Sequence, residues 1–276
     1  MGQPVASCAS RADRRRLGSD VHLGGHAHSS LVDGGHVQAK GVLMRIIGFR
    51  ATLAVALGAM ACSQQVDSTD VRTSGVYADM SVYASGNGKS EVQVDLRVGG
   101  SSSNTHLEIK GADKLTATVG TVTKALSKSG NIYVTTFDGD AADTQFILAF
   151  TRGPDDTSAP NSSVTLPEPF TISGIAQTVS RQVGFTATWQ AGTKGEPMTW
   201  VLRGDCLVAQ AGSISDAGQT VIPAGKPVAV LGQEQATCNA SFCLERDRSG
   251  LLDPAFGEGG VISAAQSRCA AFLSAP

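Results

Sequence analysis

From residue 73 onward the chain alternates apolar and polar residues at a period of two, interrupted at short intervals by turn-forming clusters. That pattern commits it to β-strands, because a helix needs its apolar residues every three or four positions. Val76, Ala78, Met80 and Val82 alternate with Tyr77, Asp79, Ser81 and Tyr83, and Val92, Val94, Leu96 and Val98 resume the pattern after Ser85-Gly-Asn-Gly88. A β-hairpin is the expectation. Leu107 and Ile109, then Leu115, Ala117 and Val119, then Ile132 and Val134, and finally Phe146, Leu148 and Phe150 extend the series. Turns fall at Gly99–Asn104, Lys128–Gly130, Asp138–Asp140 and Gly153–Asp156, a spacing that suits a sandwich or barrel.

The segment Ser158–Phe170 carries three prolines, which confine it to a sheet edge or a connection, with one closing strand at Phe170–Ile172. A second series follows through Val183–Trp189, Met198–Leu202, Val221–Ile222, Phe242–Leu244, Val261–Ile262 and Ala270–Leu273. Each half is about 100 residues of short alternating strands, which is similar in size and texture to an immunoglobulin-like sandwich. Trp189 and Trp200 both precede Cys206, so the Cys-Trp-Cys order of true immunoglobulin domains is missing. The expected fold is all-β, with two consecutive Ig-like β-sandwich domains, 73–174 and 175–276.

Four cysteines, Cys206, Cys238, Cys243 and Cys269, crowd the second half and allow three pairings. On one strand, Cys238 and Cys243 would lie about 16 Å apart at about 3.3 Å per residue, beyond the reach of about 7 Å that a disulfide allows. Neighbouring strands are usually consecutive in sequence, so Cys206 is expected to pair with Cys238, and Cys243 with Cys269. A zinc site is the rival reading. It fails on spacing, and the chain after residue 62 holds one histidine, His106.

The N-terminal region carries an address. Arg45 and Arg50 precede an uncharged apolar run, Ala51–Ala59, and Ala59-Met60-Ala61-Cys62 follows it. The run is shorter than the about 20 apolar residues that span a bilayer. Met44–Ala61 resembles a bacterial lipoprotein signal peptide with its lipobox, although Ala59 stands where that family prefers Leu. The resemblance implies cleavage before Cys62 and acylation of that cysteine, palmitate included, giving membrane attachment at the bacterial cell envelope; ordinary Ala-x-Ala cleavage is the competing reading. Ser63 is not the Asp that in some bacteria retains lipoproteins at the inner membrane, which points to the outer one. Residues 62–72 then form a lipid-anchored tether. Residues 1–43, rich in Gly, Ser, Arg and His without apolar period, read as a disordered extension or a start assigned too early.

From residue 62 onward 15 Lys and Arg stand against 21 Asp and Glu, a net of −6 without long runs. This excludes the basic stripe of a nucleic-acid binder. Gly88-Lys89-Ser90 lacks the upstream glycine of a phosphate loop, and Gly212–Ser215 lacks the serine and glycine of a nucleophile elbow. His106 is expected on the solvent side of its strand, and no motif calls for a cofactor. Asp138, Asp140 and Asp143 could offer oxygens to Ca²⁺ from one loop, against the plainer reading of a hairpin turn. Arg246–Gly260 reads as a long glycine-rich connection in which Phe256 plugs a sandwich end and the arginines pair with carboxylates. The functional expectation is a non-enzymatic display or binding module with an envelope protein or glycan as partner. The alternative is a hydrolase using carboxylates on wall polymers or polysaccharides.

Overall fold

The structure, a computed structural model, describes residues 64–154 and 156–276. Residues 1–63, on which the expected extension, signal peptide and lipidated Cys62 fall, lie outside the described residues. Among the described residues seventeen strands form the fold. The first nine are β1 (Gln64–Asp67), β2 (Val76–Ala84), β3 (Lys89–Val98), β4 (Thr105–Glu108), β5 (Lys114–Val119), β6 (Val122–Ala125), β7 (Ser127–Ser129), β8 (Ile132–Asp138) and β9 (Gln145–Thr151). The others are β10 (Ala159–Thr165), β11 (Thr178–Ser180), β12 (Gly184–Thr188), β13 (Met198–Gly204), β14 (Leu207–Ile214), β15 (Gln219–Pro223), β16 (Cys238–Ser249) and β17 (Gly260–Ala275). Two single-turn 3-10 helices, Ser68–Asp70 and Thr73–Gly75, join β1 to β2. The fold is all-β and built of sheets packed face to face.

One eleven-stranded sheet runs through both halves, in the order β1-β4-β3-β2-β17-β16-β13-β14, with β7, β8 and β11 attached beside this path. Its inner face is covered twice. The four-stranded sheet β10-β9-β5-β6 lies over the first half and the pair β12-β15 over the second. Alternation decides which side chains enter: Val76, Ala78, Met80 and Val82 on β2, with Val92, Val94 and Leu96 on β3, meet Leu115, Phe146, Leu148 and Phe150 in one core. Met198, Trp200, Leu202, Phe242, Leu244 and Phe272 meet Ala187 and Ile222 in the other, where Phe185 packs edge-on against Phe242.

The cores are separate, but the long hairpin β16–β17 belongs to both. Along twelve register positions, Cys238↔Ser274 to Ser249↔Ser263, the two strands pair, and the first seven residues of β17 pair in parallel with β2. The connection between them places Phe256, 4% exposed, in the first core, stacked on Phe150. The cores follow no single break in the sequence: Phe170 and Ile172 pack in the second, whereas Phe256, Ile262 and Ala264 pack in the first.

Two expectations need correction. Residues 64–72, expected as a tether, are folded from Gln64 on, because β1 pairs with β4 in parallel. Of the two places that its prolines allow, Ala159–Thr165 takes the sheet edge, as strand β10. Phe170–Ile172 is not a strand; Phe170 is buried with Arg246 4.9 Å from its ring centroid and Arg268 5.8 Å from it.

The disulfides Cys206–Cys238 and Cys243–Cys269 join the expected partners. Cys243 and Cys269 stand directly opposite each other on β16 and β17, on the outer face of the sheet.

Candidate functional site

Strand direction fixes where the ends of the molecule lie. Strand β17 begins beside Ala78 in the first sandwich and ends beside Ser180 in the second. Strands β2, β4 and β1 all run in the direction of β17, since β4 and β2 are each antiparallel to β3 and β1 is parallel to β4. Gln64 thus enters at the end of the first sandwich remote from the second. The opposite pole is built from residues 180–184, 205–208 and 224–237.

That pole carries aliphatic side chains in solvent: Leu231 is 94% exposed and Val183 75%, with Val208, Val228 and Val230 beside them. The loop that carries Val228, Val230 and Leu231 is held at many points. Residues 228–230 lie against the start of β14, with Val208 N donating to Val228 O and Val230 N to Cys206 O. Arg181, 6% exposed, reaches in from below, donating from Nη1 to Ala236 O and from Nη2 to Glu234 O. Cys206–Cys238 closes the loop's base, and Gln210 Nε2 donates to Lys226 O. At the tip Gly232 takes φ 83°, a conformation that suits glycine, and its N–H donates to Glu234 Oε1. That backbone donor holds the Glu234 carboxyl below the ordinary glutamate range.

A second constellation lies on the outer face of the sheet. Glu245 and Asp247, two apart on β16, point the same way and hydrogen-bond to each other. Burial raises the Glu245 carboxyl to about 7, helped by the Asp247 charge, and burial raises Asp247 as well. The alternation Glu245-Arg-Asp247 was the available signal, since same-parity residues on a strand share a face.

The structure does not bring the three loop aspartates together. Asp138 is 3.8 Å from Lys89, Asp140 is 3.9 Å from Arg268, and Asp143 pairs with Lys194 and Arg248 at 2.5 and 2.7 Å. Among the described residues no group of three His, Cys, Asp or Glu side chains is placed to hold a metal ion. Asp143 instead helps to clasp the halves, with Arg248 also bonded to Glu196, Thr165 and Leu166 O. His106 lies on the outer face but is largely covered, its Nδ1 2.8 Å from Asp95 Oδ1. Arg97 takes the other Asp95 oxygen.

Arg246 and Arg248, expected in the connection, lie on strand β16 instead, which runs to Ser249, and both are structural. Arg246 is fully buried and ion-paired to Asp216 at 2.8 Å. Burial works to raise the Asp216 pKa, but Arg246, the Trp189 indole and Gly192 N–H together hold it below the usual range. A 340 Å³ cleft near Asp113 and Arg72 has Arg152 in its wall. All five Arg152 N–H groups are used, by Asp113, Thr73, Asp156, Ser68 O and Val71 O, so that residue has no donor left for a ligand.

No protein-family model matches this chain, and no curated protein matches it either. Among solved structures, it overlaps the chicken CNTN1 FN1-FN3 domains at 13% identity and TM-score 0.25, covering 72% of this chain and 64% of that one. The two fibronectin type-III domain segment from chicken tenascin aligns at 8% identity and TM-score 0.22, with 72% and 98% covered. Fibronectin(III)-like modules of Clostridium thermocellum CbhA align at 13% and 0.23, with 72% and 90% covered. Likeness at this level has no bearing on function, and the all-β assignment stands on the strand order itself.

Proposed function

We propose that this protein is a non-enzymatic bacterial cell-envelope lipoprotein, held in the outer membrane through acyl chains on Cys62, that displays the 226–234 loop to a protein partner. The observation that carries the reading is the pole itself: exposed aliphatic side chains on a loop braced by a disulfide and a buried arginine, at the end opposite to where the chain enters. A braced loop loses little conformational freedom on binding, so its contact area converts into affinity rather than into ordering. Beside Lys226, Gln233 and Glu234 it exposes the aliphatic Val228, Val230 and Leu231, and it carries none of the aromatic rings on which sugars stack. This favours a protein over a glycan.

Two measurements test the proposal. Intact mass of the membrane-extracted protein should show a chain beginning at an acylated Cys62; an unmodified Cys62 overturns the anchor. A photo-crosslinker at Gln233 should capture one reproducible envelope protein in living cells, and Leu231→Asp with Val228→Asp should abolish that capture. Capture that survives both changes removes the loop from the interface.

The placement of Glu245 beside Asp247 on one face of β16 favours one second reading, a carboxylate-dependent hydrolase, since a carboxyl pushed up to about 7 suits a general acid. Turnover of peptidoglycan or a polysaccharide, lost in Glu245→Gln, would replace the display reading.

A further inference from the structure

The strand that unites the two sandwiches also lies where tension would pass. We propose that the molecule is a load-bearing stalk, whose resistance to stretching resides in the parallel β2–β17 ladder. Its use in the cell rests on the tethered-display reading; the mechanical property does not, and the test below needs neither lipid nor partner.

The ladder runs in unbroken register from Gly260↔Ala78 to Gln266↔Ala84. Its outer end is sealed by Ala78 N donating to Gly259 O. Tension applied ahead of Gln64 and beyond Ala275 first shears β1 from β4, a ladder of only four positions, and then pulls β2 toward one pole and β17 toward the other. Because the two strands run in the same direction, that load acts along them, while their hydrogen bonds run across it. Every rung is then strained together and none can open first. A load applied across the strands at one end would instead open the rungs singly.

The flanks keep β2 and β17 from yielding elsewhere. Strand β2 is paired with β3 at nine positions, Val76↔Val98 to Ala84↔Ser90. Strand β17 is paired with β16 at twelve positions and locked to it covalently through Cys243–Cys269. The inner face of the ladder is dry, with Ala78, Met80, Val82, Ile262 and Ala264 all at most 3% exposed, so water cannot replace rungs from that side. The close approach at its start depends on Gly260: a Cβ there would meet Ala78 O at 2.0 Å.

The test holds the full chain between two handles in a force spectrometer, in two geometries. With handles at both termini the ladder is sheared. With the second handle moved into the exposed connection at Glu258, beside the start of β17, the same rungs are peeled one by one. The expected result is one dominant unfolding event in the first geometry, at a force severalfold above that needed in the second. Equal forces, or a stronger Glu258 geometry, overturn the proposal. Gly260→Ala should lower the terminal-pull force toward the peeling value; should that variant fail to fold, the comparison on the unchanged sequence still decides. Failure here leaves the loop-capture result untouched, and loss of loop capture leaves the force difference standing.

Discussion

At the residue scale, the unusual groups are charged side chains placed under cover. Arg152, Arg181 and Arg246 are each buried and each saturate carbonyls or carboxylates of otherwise irregular chain. They act as anchors for loops that have too few apolar residues to hold themselves. Glu245 differs, because its burial is offset by no cation. Its pKa lies at about 7 instead of 4.5, so between those values the folded protein holds a proton that the unfolded chain releases. Stability must therefore fall as pH rises through that window. Urea melts of the unchanged protein at pH 5 and pH 8 should show the loss, and Glu245→Gln should reduce it. A Glu245→Gln variant that keeps the full pH dependence would assign the slope to other groups.

At the scale of elements, the cysteines were legible because strand spacing alone removes the Cys238–Cys243 pairing. The bridge Cys206–Cys238 closes a 32-residue separation and fastens the base of the exposed loop. Replacing both cysteines by serine should cost about 3 to 4 kcal/mol in the chain-entropy model, read by urea melts, and should raise hydrogen exchange across residues 226–236 first. Unchanged exchange there would mean that Arg181 alone holds the loop. Strands with one buried face, such as β2 and β3, could be read directly. Strand β14 could not, since Leu207–Ile214 is an edge strand with one fully buried residue and shows no apolar alternation. Strand β17 read as two short pieces because its middle, where it passes between the cores, buries Gln266 and carries Arg268 in place of apolar residues. The exposed pole left no mark, because Val228, Val230 and Leu231 look like core residues until the fold turns them outward.

At the scale of the whole molecule, two cores share one sheet, and the first is completed by residues from far along the chain. Phe256, Ile262 and Ala264 belong to it, and β2 has no inner neighbour without β17. A fragment of residues 64–174 should accordingly lack a cooperative urea transition, and adding a peptide of residues 250–275 should restore structure measurable by circular dichroism. A fragment that melts cooperatively by itself would show that the hairpin is dispensable to the first core.

The same sharing sets an order on synthesis. Ala84 meets Gln266 across 182 positions of sequence, so the ribosome must have passed Gln266 before the central ladder can form. Until then the first sheet has no partner for the free side of β2. The strand that closes the structure therefore also decides when the growing chain ceases to be a thread.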